Sequence, residues 1–206
     1  HKQAPKILKG KFNNIQDNRK YDPPLEHMIV DDDYELLKQG ELISNTIVDS
    51  YLALLKEKGE NKEFKSTARI LPSNFYEMIY NKYKTPEQIY KDYFNNSSFQ
   101  VWDHIFIPIH VPENEGETHH WILVDLQPKK YILEYYDSVD KKRYLQVDRP
   151  IFEFFNKFGL KTLKIRKPFH LPKQRNMYDC GMFILEYARC LIHEGMKNQD
   201  VYGFIE

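Results

Sequence analysis

The 206-residue sequence contains few cysteines, no net charge and no long apolar run. Two cysteines, Cys180 and Cys190, are too few for the disulfide framework of a small secreted domain, so the sequence favours a reducing, intracellular compartment. The 30 basic side chains balance the 30 acidic ones, which argues against a nucleic-acid binder that relies on a wholly basic domain. No apolar run approaches the ~20 residues that span a bilayer, and no signal-peptide pattern opens the chain.

The composition is otherwise that of a folded protein. Aromatic residues make up 15% of the chain, which argues against disorder of the whole sequence, and the length suits one domain with a sizeable core. Because the chain begins at His1 rather than Met, we interpret it as a fragment whose targeting signals lie outside it. Residues 1–30 are polar and lack periodicity, so we predict an irregular N-terminal arm followed by one folded domain over 31–206.

Hydrophobic periodicity changes from helical to extended and back along the domain. Ser44 or Asn45 is the expected N-cap of a strong helix, and Asp148 with Pro150 is expected to open a later one. The helical patterns cover 31–40, 44–59, 85–94, 148–159 and 180–195, and the extended patterns cover 104–111, 119–126, 130–137 and 160–166. This order predicts an α+β domain with a mostly antiparallel central sheet flanked by helices.

Two of the strands are expected to form a hairpin. With the turn centred between residues 128 and 129, Ile122 lies opposite Tyr135 on a consistently apolar face. The same register places His120 opposite Asp137, with Cβ atoms roughly 4.5–5.5 Å apart, at the open end of the hairpin. A carboxylate in that position can hold an imidazole in one tautomer and stabilise its cationic form.

The last helix offers a nucleophile. Cys180 begins it and shares a stripe with Ile184, Tyr187 and Leu191, which must pack against an apolar face of the sheet. A thiol at a helix N-terminus beside a histidine cation is a competent nucleophile. Gln174 precedes it in a loop and is placed to donate an amide N–H to an oxyanion, with the backbone N–H of Cys180 as the second donor.

Ordinary core packing competes with this interpretation. A lone cysteine on an apolar helix stripe usually packs in the core, and that is what we expect of Cys190. A disulfide between Cys180 and Cys190 is implausible because ten helical residues separate them by ~15 Å. His119 is predicted to point to the opposite face from His120, so it ranks second as the catalytic base. No spacing typical of zinc ligands occurs, so we expect no metal. Spacing alone leaves both a catalytic triad and core packing open.

Several segments resemble the signatures of one protease family. Residues 174–181, Gln-Arg-Asn-Met-Tyr-Asp-Cys-Gly, resemble the Gln-x-Asn-x-x-Asp-Cys-Gly signature of the ubiquitin-like-protein-specific cysteine proteases, the Ulp/sentrin-specific protease family. His120-Trp121 resembles the His-Trp motif of that family, and Tyr135-Tyr136-Asp137-Ser138 resembles its Tyr-Asp-Ser motif. Residues 40–48 are similar to its Gly-Glu-Trp-Leu-Asn-Asp-x-Ile-Ile segment. The resemblance spans about residues 31–195 and implies the fold of the papain-like cysteine protease superfamily.

By this resemblance, the chain cleaves the bond after the C-terminal Gly-Gly of a ubiquitin-like modifier, in a precursor or in an isopeptide-linked conjugate. Cys180 would be the nucleophile, His120 the general base and then acid, Asp137 the orienting carboxylate and Gln174 the oxyanion donor. The chemistry proceeds through an acyl-enzyme without any cofactor. The resemblance also implies a substrate-binding set near the diglycine, which consists of Trp121, Leu42, Asn45, Asp179 and Gly181.

Two departures from the family pattern bear on the modifier. Leu42 stands where the family has a second tryptophan, and Ser44-Asn45 replace Asn-Asp. The segment 113–117 adds acidic residues before the histidines, as a substrate-contacting loop or a solvated hairpin tip. The expected partners are SUMO first, then NEDD8 or ubiquitin, and their conjugates. We expect a monomer with no nucleic-acid partner and no membrane segment, in the nucleus or cytoplasm, or in a host cell for a secreted bacterial effector.

Three alternatives belong to other classes of function. The same fold supports deubiquitinases or deneddylases, and it supports effector acetyltransferases, which need an acyl-CoA and a basic cofactor site that the sequence does not indicate. A module that binds a modifier without cleaving it is a further alternative. The complete set of Cys180, His120, Asp137 and Gln174 argues against that module, since a decayed enzyme usually loses one of these groups.

Overall fold

The computed structural model describes residues 32–33, 35, 37, 41–60, 67–111, 120–139, 145–168 and 171–193, so the predicted arm at 1–30 lies outside the described residues. The helices with full bounds are α1 (Asn45–Glu60), α2 (Phe75–Tyr80), α3 (Pro86–Phe94), α4 (Leu145–Lys157) and α5 (Cys180–His193). The strands are β1 (Ala68–Ile70), β2 (His104–Val111), β3 (His120–Gln127), β4 (Ile132–Tyr136) and β5 (Lys164–Arg166). Two 3₁₀ turns cover Phe99–Val101 and Pro128–Lys130.

The strands form one five-stranded sheet in the order β1-β2-β3-β4-β5. The central pairs β2–β3 and β3–β4 are antiparallel, whereas the edge strands β1 and β5 run parallel to their neighbours. Parallel pairing needs a crossover, which α2 and α3 provide between β1 and β2, and α4 provides between β4 and β5. The predicted α+β class is confirmed, with the correction that the sheet is mixed: its long central strands are antiparallel and its edges are parallel.

Both faces of the sheet are covered, so β3 is buried along its whole length. Helices α2, α3 and α4 pack on one side, which we call the α4 face, and α1 and α5 pack on the other, the α5 face. The α4 face presents the strand residues Ile105, Ile107, Ile109, Val111, Ile122, Val124, Leu126, Leu133 and Tyr135. The α5 face presents Ile70, Phe106, Trp121, Leu123 and Tyr136.

The central hairpin forms, but its register differs from the predicted one by two residues. Val124 pairs with Tyr135 rather than with Leu133. The cause is the turn, because Pro128–Lys130 form a 3₁₀ turn and Tyr131 follows in a left-handed conformation with φ of 57°. A shift of two residues keeps each side chain on its predicted face. The sequence had predicted that His120 lies directly opposite Asp137 in the ladder, and the observed register shows that it does not.

The last helix packs on the α5 face, whereas the sequence predicted only that the stripe headed by Cys180 packs against an apolar face of the sheet. Cys180 belongs to the cluster that contains Trp121 and Leu123. The alternation of β3 could not decide between the two faces, because its residues are apolar on both. His120 still reaches Cys180 because it is the first residue of β3, at the very end of the sheet.

Helix boundaries were predicted well except at α4. α1 begins where expected, with Ser44 as the N-cap: its Oγ accepts a hydrogen bond from the Ile47 N–H at 3.3 Å. α4 begins at Leu145, so the expected start at Asp148 is wrong and Pro150 lies inside the helix. Asp148 does not cap α4; its buried carboxylate accepts a hydrogen bond from the Tyr135 hydroxyl. The short elements α2 and β1 were not predicted.

Candidate active site

The loop before α5 is held rigid by an asparagine. The Oδ1 of Asn176 accepts hydrogen bonds from the backbone N–H groups of Tyr178 and Asp179, at 3.2 and 2.9 Å. Its amide also donates to Asp179 Oδ2 at 2.6 Å. The carbonyl of Asp179 then accepts the first helical bond from Phe183 at 3.0 Å. The turn therefore delivers Cys180 at the first position of α5, where its side chain is fully buried.

His120, the first residue of β3, meets Asp137, the residue that follows β4. The distance between His120 Nε2 and Asp137 Oδ1 is 2.7 Å, and both side chains are buried. Asp137 Oδ1 also accepts a hydrogen bond from the Val139 N–H at 2.9 Å, which fixes the carboxylate. Because a carboxylate only accepts, Nε2 carries the proton, and Nδ1 is left for the thiol of Cys180. The predicted partnership is present, although strand ends and not a ladder pair create it.

The imidazole lies between a carboxylate and a thiol. Burial on its own lowers the pKa of His120, but hydrogen bonds with Asp137 and Cys180, together with their charges, outweigh it and raise the pKa to about 9. At neutral pH the fold therefore favours the imidazolium beside Cys180. This is the electrostatic arrangement that a thiolate nucleophile needs.

Gln174 lies in the same site and is held at both ends. Its Oε1 accepts a hydrogen bond from Ser138 Oγ at 2.5 Å, and its Nε2 donates to the Asn176 carbonyl at 2.7 Å. Its backbone N–H donates to the Ser138 carbonyl at 3.1 Å. One N–H of the amide is thus used by the loop, and the amide carries a second N–H donor.

A close approach of chains explains the glycine after the nucleophile. A Cβ atom at Gly181 would lie 2.3 Å from Ile43 Cγ1 and 3.2 Å from Trp121 Cδ1. The indole N–H of Trp121 donates to the Ile43 carbonyl at 3.2 Å, and only 2% of Trp121 is exposed. The indole therefore clamps the segment before α1 onto the head of α5. Any larger residue at position 181 would push that segment away from the nucleophile.

The remaining predicted substrate-binding residues lie around this clamp. Leu42 is half-buried against the cluster on the α5 face, and Asn45 is exposed at the first position of α1. The Oγ of the neighbouring Ser44 donates to Asp33 at 2.6 Å, which ties the start of α1 to the segment before it. His119 and the acidic segment 113–117 lie outside the described residues.

Sequence reasoning missed the residues that hold the candidate catalytic groups in place. Ser138 is fully buried and bonds to Gln174 through both its side chain and its backbone. Asn176 organises the turn, and Ile43 sets the size of residue 181. Ser138 and Asn176 stand in the quoted segments, so the signal was present. Ile43 also stands in a quoted segment, 40–48, but its contact with residue 181 joins distant parts of the chain and could not be deduced from that segment.

The described part of the chain carries neither a metal-binding cluster nor a membrane-spanning helix. No group of three or more histidine, cysteine, aspartate or glutamate side chains in it is arranged to hold a metal ion. No helix in it is long and apolar enough to cross a membrane.

A buried thiol at a helix start, an imidazole beside it and a carboxylate behind define the class of thiol proteases, and comparison with known proteins agrees. The model of the Ulp1 protease family, C-terminal catalytic domain, matches residues 41–206. The chain belongs to the Ulp1 protease family, which confirms the family expected from the sequence.

Curated relatives are of moderate similarity. The chain is 26% identical over 174 residues to ubiquitin-like-specific protease 1A of Arabidopsis thaliana, which covers 73% of this chain and 32% of that protein. It is 29% identical over 167 residues to human sentrin-specific protease 2, which covers 76% of this chain and 26% of that protein. It is 25% identical over 191 residues to probable sentrin-specific protease 8 of Dictyostelium discoideum, covering 83% and 76%. The chain thus spans a third or less of the Arabidopsis and human proteins.

Solved structures share the fold. A de-sumoylating protease superposes with a TM-score of 0.65 at 19% identity, covering 80% of this chain and 67% of the other. The Ulp1 protease domain in complex with Smt3, the yeast ortholog of SUMO, superposes with a TM-score of 0.59 at 17% identity, covering 79% of this chain and 71% of the other. The Xanthomonas campestris effector XopD bound to ubiquitin gives 0.58 at 17%, covering 85% and 82%. At these identities the likeness establishes the fold, which is the expected one.

Proposed function

We propose that this chain is a thiol isopeptidase that cleaves after the C-terminal Gly-Gly of a ubiquitin-like modifier, with SUMO as the first candidate. One observation carries the proposal: the His120 ring bonds to Asp137 at 2.7 Å through Nε2 and interacts with the Cys180 thiol. Support for SUMO comes from the relatives, which include sentrin-specific proteases and a protease domain in complex with the yeast ortholog of SUMO.

The proposed mechanism follows from the order of these groups. The Cys180 thiolate attacks the carbonyl carbon of the terminal glycine, and the oxyanion that forms accepts hydrogen bonds from Gln174 and from the Cys180 backbone N–H. The imidazolium of His120 donates its Nδ1 proton to the leaving amine as the C–N bond breaks. The neutral imidazole then removes a proton from water, whose oxygen attacks the thioester and releases the modifier and Cys180.

Substrate recognition is assigned to the clamp beside the nucleophile. We place the diglycine tail against Trp121 and Leu42, next to Gly181, with Asn45 and Asp179 at the edges of the path. A tail without side chains suits a surface that already holds Ile43 and the indole within contact distance of Gly181. A penultimate alanine in the modifier is therefore expected to block cleavage.

A panel of modifier probes tests the proposal. SUMO, NEDD8 and ubiquitin, each carrying a C-terminal electrophile, are incubated with the protein, and the adduct is located by peptide mapping. We expect the SUMO probe to label Cys180 most rapidly, and Cys180→Ala to abolish labelling. The matched control is Cys190→Ala, which removes a second buried thiol of α5 and should retain it. An adduct on Cys190, or no reaction with any of the three probes, would contradict the proposal.

Ubiquitin is the second candidate modifier. The fold neighbour XopD has been solved with ubiquitin bound, and it covers a larger share of this chain than the Smt3 complex does, 85% against 79%. Leu42 also replaces the tryptophan of the family pattern beside the expected tail path. Faster labelling by the ubiquitin probe than by the SUMO probe would assign the chain to ubiquitin and leave the triad assignment intact.

A further inference from the structure

Charge is distributed very unevenly in a chain whose net charge is zero. Residues 154–178 contain seven lysine and arginine side chains and no aspartate or glutamate, so the rest of the chain carries an excess of seven acidic residues. This segment includes the edge strand β5 and the loop that leads to the nucleophile. Four of its exposed cations, Lys164, Arg166, Lys173 and Arg175, are here called the basic strip.

The sheet directs this strip toward the active site. β5 runs parallel to β4, with Lys164 paired with Ile132 and Arg166 paired with Glu134. β4 leads to Asp137, so Arg166 lies three residues from the catalytic end, roughly 10 Å away, and Lys164 roughly 16 Å away. Both residues lie on the sheet face that carries Glu134 and Tyr136, which is the α5 face. The strip therefore approaches the nucleophile along the β4–β5 edge.

Hydrogen bonds fix the second half of the strip beside α5. The Tyr187 hydroxyl donates to the Pro172 carbonyl at 2.6 Å, which anchors the chain just before Lys173. The backbone N–H of Gln174 bonds to Ser138 just before Arg175. Lys173 and Arg175 are thus exposed side chains on an anchored backbone, so ordering this backbone adds little to the entropic cost of binding.

Two acidic side chains near the strip, Glu134 and Asp179, are engaged in contacts within the fold. Glu134 is buried and accepts hydrogen bonds from Tyr136 and Gln127 besides its ion pair with Arg166 at 3.5 Å. Half of the Arg166 side chain nevertheless remains exposed, at 52%. Asp179 is bonded to Asn176. Exposed positive charge therefore remains on the strip at Lys164, Arg166 and Arg175.

An apolar step follows the strip immediately before the nucleophile. Met177 is 67% exposed and Tyr178 is 41% exposed, although the Asn176 turn holds their backbone. A ligand that follows the strip thus meets cations first and then two large apolar side chains beside Cys180. A phosphate polymer offers no apolar side chain to contact Met177. A polypeptide with acidic residues and an apolar side chain complements both the basic strip and the pair Met177 and Tyr178.

From these observations we propose that the basic strip binds an acidic segment of the acceptor protein, on the leaving side of the scissile bond. This rests on the proposed function, which places the modifier tail against Trp121 and Leu42. The clamp of Ile43, Trp121 and Gly181 joins α5 to the β3 and α1 side of the site, whereas the strip joins it from the β4–β5 edge. The modifier tail, which is the acyl part of the substrate, lies on the clamp side of Cys180. The acceptor protein, which is the leaving part, therefore extends toward the β4–β5 edge and the basic strip.

The test uses SUMO precursors that differ only after the Gly-Gly. One carries a C-terminal extension rich in aspartate and glutamate, and the other an uncharged extension of equal length. We expect kcat/KM to be roughly three- to tenfold higher for the acidic extension at low salt, and the ratio to approach one at an ionic strength of about 0.5 M. In Lys164→Glu/Arg175→Glu the low-salt ratio should fall to one or below. The control Lys82→Glu/Lys91→Glu makes the same charge change at other exposed positions and should keep the ratio.

Binding separates this inference from the proposed function. Fluorescence anisotropy of the two labelled extension peptides is measured with Cys180→Ala, and we expect the acidic peptide to bind more tightly and to lose this advantage in the strip variant. If no precursor is cleaved, the proposed function fails and this peptide comparison alone decides the role of the strip. Equal cleavage of the two extensions by the unmodified protein overturns the inference.

Two further outcomes would assign the strip to another partner and so overturn the inference. One is that the protein binds a single-stranded oligonucleotide more tightly than the acidic peptide and that the strip variant no longer binds the oligonucleotide. The other is weaker binding of free SUMO, ending at Gly-Gly, in the strip variant than in the control variant.

Discussion

The two faces of the sheet differ in what they bury. The α4 face buries aromatic rings: Phe75, Phe94, Phe99 and Phe155 contact one another, mostly edge to face, with ring centroids 4.9–6.5 Å apart. The α5 face also buries two carboxylates that stand on the strands themselves. Asp125 is fully buried and contacts His104 at 2.9 Å, and Glu134 accepts a hydrogen bond from Tyr136 at 3.0 Å.

The difference separates stability from chemistry. Aromatic packing contributes to stability through buried area and ring geometry, and this contribution does not depend on pH because the phenylalanine rings do not titrate. Buried ionisable groups are costly unless they are paired. Asp125 and Glu134 are paired on the α5 face and Asp148 on the α4 face, whereas the candidate catalytic groups lie at the end of the sheet where β3 begins and β4 ends. We therefore expect substitutions on the α4 face to change stability with little effect on kcat. Substitutions at the end of the sheet beside Cys180 should do the reverse.

The largest effect is expected from Asp137→Ala. It removes both the partner of His120 Nε2 and its charge, so kcat should fall by roughly 10³–10⁴ while thermal unfolding stays cooperative. Asp137→Asn is the matched control. Its side-chain oxygen can still accept from His120 and from the Val139 N–H, as Oδ1 does now, so it should retain more activity than the alanine variant. Steady-state kinetics on a SUMO conjugate measure both, and equal activity of Asp137→Ala and the unmodified protein would refute the triad.

Phe155→Ala tests the other face. The side chain is fully buried and contacts the rings of Phe75, Phe94, Phe99 and Phe154. Its loss should lower the free energy of unfolding by about 3–5 kcal/mol, measured by denaturant titration. The kcat of the remaining folded protein, measured well below its Tm, should stay within about twofold of the unmodified value, since no catalytic group touches this ring. A large loss of kcat with unchanged stability would show that the two faces are not separate in function.

Gln174→Ala is expected to have a smaller effect than the loss of the triad carboxylate. If its second amide N–H meets the oxyanion, kcat should fall by about 10²–10³ with little change in KM. Gln174→Glu keeps the side-chain length but replaces the donor with an acceptor, and it should be no more active than the alanine variant. A change confined to KM would make Gln174 a ground-state binding residue instead.

Ser138→Ala is the mildest of the four. It removes the hydrogen bond to Gln174 Oε1 but leaves the backbone bond between the two residues in place. Gln174 then loses one of its anchors, and kcat should fall by roughly tenfold, about the worth of one hydrogen bond. The double variant Ser138→Ala/Gln174→Ala should be no less active than Gln174→Ala alone. Additive losses would mean that Ser138 acts through some other group.

The pattern of side chains predicted the faces of the central hairpin because alternation survives an even shift of register. It did not predict the register, which depends on the 3₁₀ turn and the left-handed Tyr131. His120, Asp137 and Cys180 could be predicted to lie together because their types and order are chemically specific. The face on which α5 packs could not be predicted, since Trp121 and Leu123 are as apolar as Ile122 and Val124. Pro150 misled the start of α4, because a proline near a helix start does not mark its first residue.

The pH dependence of kcat/KM tests the central claim, that His120 is held as a cation between Asp137 and Cys180. The raised pKa of His120, about 9, means that the imidazolium needed to protonate the leaving amine persists to that pH and is lost above it. The account predicts a fall in kcat/KM with a midpoint near pH 9, and a midpoint shifted to lower pH in Asp137→Asn, because the carboxylate charge that raises the pKa of His120 is gone. An activity that stays constant through pH 10, or an identical midpoint in the two proteins, would contradict it.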